Sequence, residues 1–504
     1  MQVGSTTALR ERLDDLVECL STLDFALPSV DLPDRHELIA TIRNYLLPRL
    51  DDPAAPLVTA IVGLSGTGKS VLMNSLAGMD LSPVGAVRPT TVKPVVWVDV
   101  EHDNSYWRDF VSRIRERVDP GLDVVVAGDP LVADMSIIDT PPLDLASERG
   151  SISAARIAAL ADVCVFVTSA GRYADRRGWQ FLEALKRRGV PVLFVLNRSG
   201  DGVEQIRPDF AKRLHEYGYL LEPDEESIFT VAESAAFAER LPSDVAHAIR
   251  SDLAQLSDPR FRQDLLEQTT EGAVRALVAD ANTLAAAATN EQVVVAELLA
   301  HVHAAYREQG NELVDSFSDG SSAWLADQHH WPTAAVDLTG MITRRAGVAA
   351  QLASSRWEEH PIGAALLSAG GQGLWRHGHD STYETQKLLE GWIESVKEIV
   401  SMRMSRPAGP KPLARLAEEL WPLVFDRERP APKRVKRKLG DDLEPAVSEA
   451  REELARLVHA AMAKDGKRFE DYVDVGVDEM HATVVKNAAA DVAATFEAAM
   501  RDDR

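Results

Sequence analysis

The octapeptide Gly63-Leu64-Ser65-Gly66-Thr67-Gly68-Lys69-Ser70 fits the pattern G-x-x-x-x-G-K-[ST]. Glycines at these places let the backbone turn its N–H groups inward around the phosphates of a nucleoside triphosphate. The lysine then reaches the β- and γ-phosphates, and the serine hydroxyl ligates Mg²⁺. The pattern means this only between a strand and a helix. Here the apolar run Leu57 to Val62 leads in, and a helical stretch with Val71, Leu72 and Leu76 leads out. The expected nucleotide contacts are therefore Gly63, Ser65, Gly66, Thr67, Gly68, Lys69, Ser70 and Val71, with purine triphosphate and Mg²⁺ as the ligands.

Asp139 closes the apolar strand Met135 to Ile138, where a carboxylate holds Mg²⁺ through water. The next residue is Thr140, not the glutamate that many ATPases carry there, which argues for the guanine-nucleotide branch. Val87-Arg-Pro-Thr-Thr-Val92 follows the glycine-rich loop and precedes the strand Pro94 to Val100. A GTPase needs a mobile threonine in this place, contacting Mg²⁺ and the γ-phosphate and releasing both after hydrolysis. Thr90 and Thr91 both qualify, and spacing does not choose between them. Thr91 joins Ser70 and Asp139 in the expected metal set.

Taken in order, GLSGTGKS, RPTT and IIDTPP resemble the first three guanine-nucleotide motifs of dynamin-like GTPases, and the helical segments before and after them are similar to the layout of bacterial dynamin-like proteins. The stretch FVTSAGRYAD (Phe166 to Asp175) is similar to one in uncharacterised actinobacterial members. The resemblance implies a GTP-hydrolysing domain, a helical stalk, self-association and a membrane-touching tip. It also implies a catalytic part for the polar Ser65, beside Lys69, Thr90 and Thr91, when two such domains meet.

Three departures from that pattern bear on chemistry. The third motif usually ends in a glycine whose N–H contacts the γ-phosphate, whereas here Pro142 has no N–H. Leu143 stands where many small GTPases place a water-orienting glutamine. In the fourth motif Asn197 is followed by Arg198 rather than lysine, and the base-reading aspartate, Asp201, arrives one residue late. Asn197, Arg198 and Asp201 are still the candidates for the guanine side. Ala232-Glu-Ser-Ala235 is a weaker fifth-motif candidate.

Short β-rich runs (LVTAIV, PVVWVDV, MSIID, VCVFVT, VPVLFVLN, SIFTV) must position these residues. Apolar runs separated by helices indicate a mostly parallel sheet covered on both faces. Before it, Leu9, Leu13, Leu16, Leu20 and Leu23 alternate steps of four and three, as in a helix that needs a helical partner. A second helix is expected over Glu37 to Leu47, ending before Pro48 and the linker Asp51 to Pro56. Beyond Ala235 the pattern is helical, with one-faced stripes such as Leu389, Trp392, Ile393, Val396, Val400 and a long helix over Leu284 to Leu313. The expected organisation is a helical neck over 1–54, an α/β P-loop GTPase domain over 55–240 and an all-α stalk over 241–504, with a tip near 361–376.

A net charge of −23 excludes an ordinary nucleic-acid binder, which needs concentrated positive charge. Two distant cysteines, Cys19 and Cys164, make no disulfide framework, and the N-terminus carries no apolar signal region, so a cytoplasmic protein is expected. Two features speak for contact with the inner face of a membrane. One is the charge-free run Pro361 to Trp375, although a buried turn explains it as well; the other is Lys433-Arg-Val-Lys-Arg-Lys438, five cations in six residues, which a solvated loop also explains. The expected partners are GTP and GDP, a second copy of the chain and an anionic membrane surface. The competing readings are a nucleotide switch or scaffold with little turnover, and an ATPase.

Overall fold

The computed structural model describes residues 3–23, 25, 32–52, 55–84, 93–99, 112, 121–144, 156–199, 203–232, 240–328, 330–368, 374, 379–404, 409–473 and 479–502. Thr90, Thr91 and Asp201 lie outside them, as do residues 233–235. The chain forms two compact units, one of Met1–Thr22, Asp31–Ala285 and Thr483–Arg504, the other of Leu23–Val30 and Ala286–Ala482.

In the first unit, α1 (Val3–Thr22), α2 (Arg35–Thr41), a π-helical turn (Ile42–Leu46) and α3 (Leu47–Asp51) precede the sheet. The helix expected to stop before Pro48 instead continues to Asp51. The π-turn has already broken the regular ladder, and Pro48 falls in the first turn of α3, where a missing N–H leaves no hydrogen bond unmade.

Among the described residues seven strands form one sheet: β1 (Leu57–Val62), β2 (Val95–Val98), β3 (Asp123–Val126), β4 (Met135–Asp139), β5 (Val163–Ser169), β6 (Val192–Ser199) and β7 (Ile228–Ala232), in the order β3-β2-β4-β1-β5-β6-β7. All neighbouring pairs are parallel except β2 with β4. Every residue of β1 is buried, which suits a charge-free run at the centre of a two-sided sheet. The helices between and after the strands are α4 (Lys69–Ala77), α5 (Arg176–Arg187), α6 (Val203–Glu216), α7 (Ser243–Ser257) and the first part of α8 (Pro259–Asp315). The chain passes from β4 on one side of β1 to β5 on the other. In sheets of this kind such a reversal marks the usual ligand position, outside the carboxyl ends of the strands.

Below the sheet the unit is closed by a buried polar knot. Asp162, fully buried just before β5, accepts from the Val58 amide at 2.7 Å and the Tyr45 hydroxyl at 3.1 Å, and pairs with the Arg49 guanidinium. Arg49 also donates to the carbonyls of Ala55 (3.0 Å) and Pro56 (3.1 Å). On α1, Leu9, Leu13, Leu16 and Leu20 are fully buried, each contributing about 1.5–3 kcal/mol of burial. This helix lies beside α15 (Glu479–Asp502), with Arg12 Nη1 at 3.7 Å from Asp491 Oδ2.

The second unit is helical: the remainder of α8, α9 (Trp331–Glu358), α10 (Pro361–Ser368), α11 (His379–Arg403), α12 (Pro410–Phe425), α13 (Lys433–Leu439) and α14 (Leu443–Val473). Large aromatics fill its core, and the indole N–H groups of Trp331, Trp357 and Trp392 donate to the carbonyls of Leu389, Leu298 and Ala450. Each bulky ring is thereby buried without losing its polar contact. Of the charge-free run, residues 361–368 form α10, with Leu366 and Leu367 in this core, and Leu374 is buried too. The basic run is helix α13 rather than a loop: Val435 and Leu439 anchor it while Lys433, Lys436, Arg437 and Lys438 stay exposed.

Candidate nucleotide-binding site

The loop between β1 and α4 is shaped by backbone conformations that few side chains tolerate. Gly63, Gly66 and Gly68 have φ of 155°, 75° and 102°. A Cβ on Gly63 would strike the Val167 carbonyl, and one on Gly68 would strike the Asn197 side chain. Glycine is therefore required twice over, by backbone angle and by the closeness of the neighbouring strand. Within the loop the Thr67 hydroxyl donates to the Leu64 carbonyl at 2.9 Å, and Lys69 Nζ donates to the same oxygen at 3.1 Å. Val71 follows on α4 and is buried.

Asn197, at the end of β6, clamps this loop from across the sheet: its Nδ2 donates to the Thr67 carbonyl at 2.7 Å. Its Oδ1 accepts the Arg198 N–H at 2.9 Å, and Arg198 takes φ of 53° to make that turn. A left-handed backbone at an arginine is costly and persists only where its surroundings hold it. Ser65 sits at the partly exposed apex of the loop.

On the metal side, Asp139 is fully buried and its Oδ2 accepts from two hydroxyls, those of Ser70 and Ser82, each at 2.6 Å. Ser82 was not evident in the sequence. Asn74 places it, accepting the N–H groups of Leu81 (2.9 Å) and Ser82 (2.8 Å) and donating to the Ser82 carbonyl (2.9 Å). Hydroxyl and carboxylate oxygens are the hard donors that Mg²⁺ takes, so Ser70 and Asp139 fit that ion. Lys69 is 5% exposed, and burial pushes its ammonium down to about 8, against the opposing pull of Asp139 and Asp144.

The segment after Asp139 folds back on the loop. Thr140 Oγ1 donates to the Ile61 carbonyl at 2.9 Å, and the Leu143 N–H donates to the Gly63 carbonyl at 3.2 Å. Leu143 and Pro142 are buried. Asp144 is a second residue not evident in the sequence: its Oδ1 accepts the Ser65 amide at 2.6 Å, and its Oδ2 lies 3.4 Å from Arg172 Nη1. The structure thus brings together Gly63 to Val71, Asp139, Asn197 and Arg198.

Residues 58–198 match the family model of 50S ribosome-binding GTPases. The match takes in the glycine-rich loop, Asp139 and Asn197, lies in the N-terminal half of the chain and covers less than half of its length. A probable chloroplastic transmembrane GTPase, FZO-like, from Arabidopsis thaliana is 29% identical over 153 residues, which are 30% of this chain and 16% of that protein. The chain therefore corresponds to a small part of that relative. Among solved structures, an oligomerised bacterial dynamin pair, described as a mechanism for long-range sensing and tethering of membranes, is similar at 12% identity and TM-score 0.38. That alignment spans 93% of this chain and 96% of the other. LeoA, a bacterial dynamin GTPase from ETEC, aligns over 99% of this chain and 95% of its own, at 11% identity and TM-score 0.27.

Proposed function

We propose that this chain is a dynamin-like GTPase that binds and hydrolyses GTP with Mg²⁺ and couples the nucleotide state to self-association. The observation that carries the reading is the loop Gly63–Ser70 joined to both neighbours it needs, to Asp139 through Ser70 at 2.6 Å and to Asn197 through Thr67 at 2.7 Å. In this reading the loop amides and Lys69 bind the phosphates and stabilise the charge that develops on the transferred phosphoryl group. Ser70, Asp139 and Thr91 would hold Mg²⁺, which would supply positive charge to offset that of the phosphates. Asn197, Arg198 and Asp201 serve the guanine side. Ser65 and Thr90 complete the catalytic set when two GTPase domains meet.

Leu143 has no polar group for water and its N–H is already engaged by Gly63, so intrinsic turnover is slow and a partner copy raises it. The neck (1–54), GTPase domain (55–240) and stalk (241–504) are the working parts. The exposed cations of α13 supply peripheral contact with an anionic membrane on its cytoplasmic side, since no helix among the described residues is long and apolar enough to cross one. The same Leu143 and Pro142 favour a second reading, a nucleotide switch with little turnover.

Multiple-turnover phosphate release with GTP and with ATP, each with and without anionic liposomes, separates these readings. GTP-specific release that rises with protein concentration supports the proposal. Tight GTP binding without release favours the switch, and equal release from ATP removes the guanine assignment.

A further inference from the structure

Asp144 occupies a place that needs explaining. A carboxylate 9% exposed at its side chain points into the same loop whose amides form an anion cradle, and it takes the Ser65 N–H at 2.6 Å. It enters from the segment following Asp139, which lies on the γ-phosphate side of a GTPase site. It is near enough to Lys69 to act on that ammonium together with Asp139. Two anions cannot share such a place cheaply, because repulsion between close charges in a partly buried site is weakly screened.

The surroundings give Asp144 a second partner. Arg172 lies in the turn after β5, where its N–H and that of Tyr173 both donate to the Ser169 carbonyl, at 2.8 and 2.9 Å. The turn ends at Asp175, whose side chain caps α5 through the Arg177 N–H at 3.0 Å. Arg172 is thus presented from a well-bonded turn, with Nη1 at 3.4 Å from Asp144 and 3.3 Å from Asp175. Pro142, meanwhile, lacks the N–H by which this segment would attract a γ-phosphate.

We propose that Asp144 determines how the site distinguishes triphosphate from diphosphate: its carboxylate holds the Ser65 amide against the γ-phosphate, and a bound triphosphate drives it off that amide while Arg172, already beside it, keeps it paired. The inference rests on the GTPase reading above. Sensing here works by displacement of a resident anion, in place of the glycine N–H that Pro142 removes. A diphosphate, ending short of Ser65 and Asp144, leaves the carboxylate where it is.

Calorimetric titration of the full chain with GDP and with a non-hydrolysable GTP analogue, both with Mg²⁺, tests it. Asp144→Asn keeps the shape and the acceptor oxygen but removes the charge. The affinity for the triphosphate analogue, taken relative to that for GDP, is expected to rise about tenfold. Asp144→Leu, which removes the hydrogen bond as well, is expected to raise the ratio at least as far, and circular dichroism melts show that both variants fold. An unaltered or lower ratio in folded Asp144→Asn overturns this proposal and leaves the GTPase reading standing. A wild-type chain that binds neither nucleotide overturns both.

Discussion

Asp139 and Asp162 are both fully buried aspartates of the same sheet, one at the carboxyl end of β4 and one just before β5. Their partners differ in kind. Asp162 is met by a guanidinium and a backbone amide, donors fixed in direction that cannot accept, and by a phenol. Asp139 is met by the hydroxyls of Ser70 and Ser82, which rotate and can accept as well as donate. The first arrangement neutralises a charge permanently and ties α3 to the strands. The second can be rearranged around a cation. Burial alone does not separate structural from functional carboxylates, whereas the chemistry of the partners does.

The comparison breaks most sharply at Arg49. Arg49→Ala leaves the Asp162 charge buried with its cation gone, and a loss of about 3–5 kcal/mol in stability is expected from denaturant unfolding. Asp139→Asn is expected to cost far less stability and to remove Mg²⁺-dependent nucleotide binding. If both variants unfold alike, the two ends of the sheet are equivalent and the distinction fails.

Lys69→Ala comes next in size. Its Nζ donates to the Leu64 carbonyl within the loop and anchors no element of the core, so the fold should survive while affinity for a fluorescent GTP analogue falls at least about a hundredfold, near 3 kcal/mol. Wild-type affinity in this variant would remove the nucleotide assignment.

A smaller effect follows from the Lys69 ammonium, pushed down to about 8. Bound phosphates favour its charged form and raise it, so binding takes up a proton wherever the free site has lost one. Affinity is therefore full below pH 8 and falls by up to about tenfold per unit above it. Titration calorimetry in buffers of different ionisation enthalpy should show proton uptake growing from pH 7 to 9. Ser82→Ala, the mildest change, is expected to cost about 0.5–1.5 kcal/mol of stability in thermal unfolding and to weaken Mg²⁺ dependence. A change confined to stability would make Ser82 purely structural.

The sequence by itself determined what is local. Gly63 to Ser70 is legible because loop shape, phosphate binding and the flanking strand and helix are all encoded within a few residues. The six strands read from apolar runs are present for a similar reason, since a strand covered on both faces is filled mainly by apolar side chains. The seventh, Asp123–Val126, is a four-residue strand at the sheet edge whose end residues are exposed, too short for its run of valines to stand out as a buried strand. Likewise α8 begins at Pro259, well before its stripe is evident at Leu284, because Arg260, Arg262, Asp264 and Glu267 interrupt the apolar pattern of its first turns.

Only the tertiary structure decided which distant groups meet. Ser82 reaches Asp139 across 57 positions because Asn74 holds its loop, and Asn197 reaches Thr67 across 130 because β6 ends beside the P-loop. Arg49 finds Asp162 across 113 positions through the packing of α3 under the strands. Asp144 and Arg172 face each other because one follows β4 and the other β5, on either side of β1. Side-chain type limits which of these contacts are chemically useful, but parallel pairing around β1 brings them within a few ångströms, and that pairing is a property of the whole sheet.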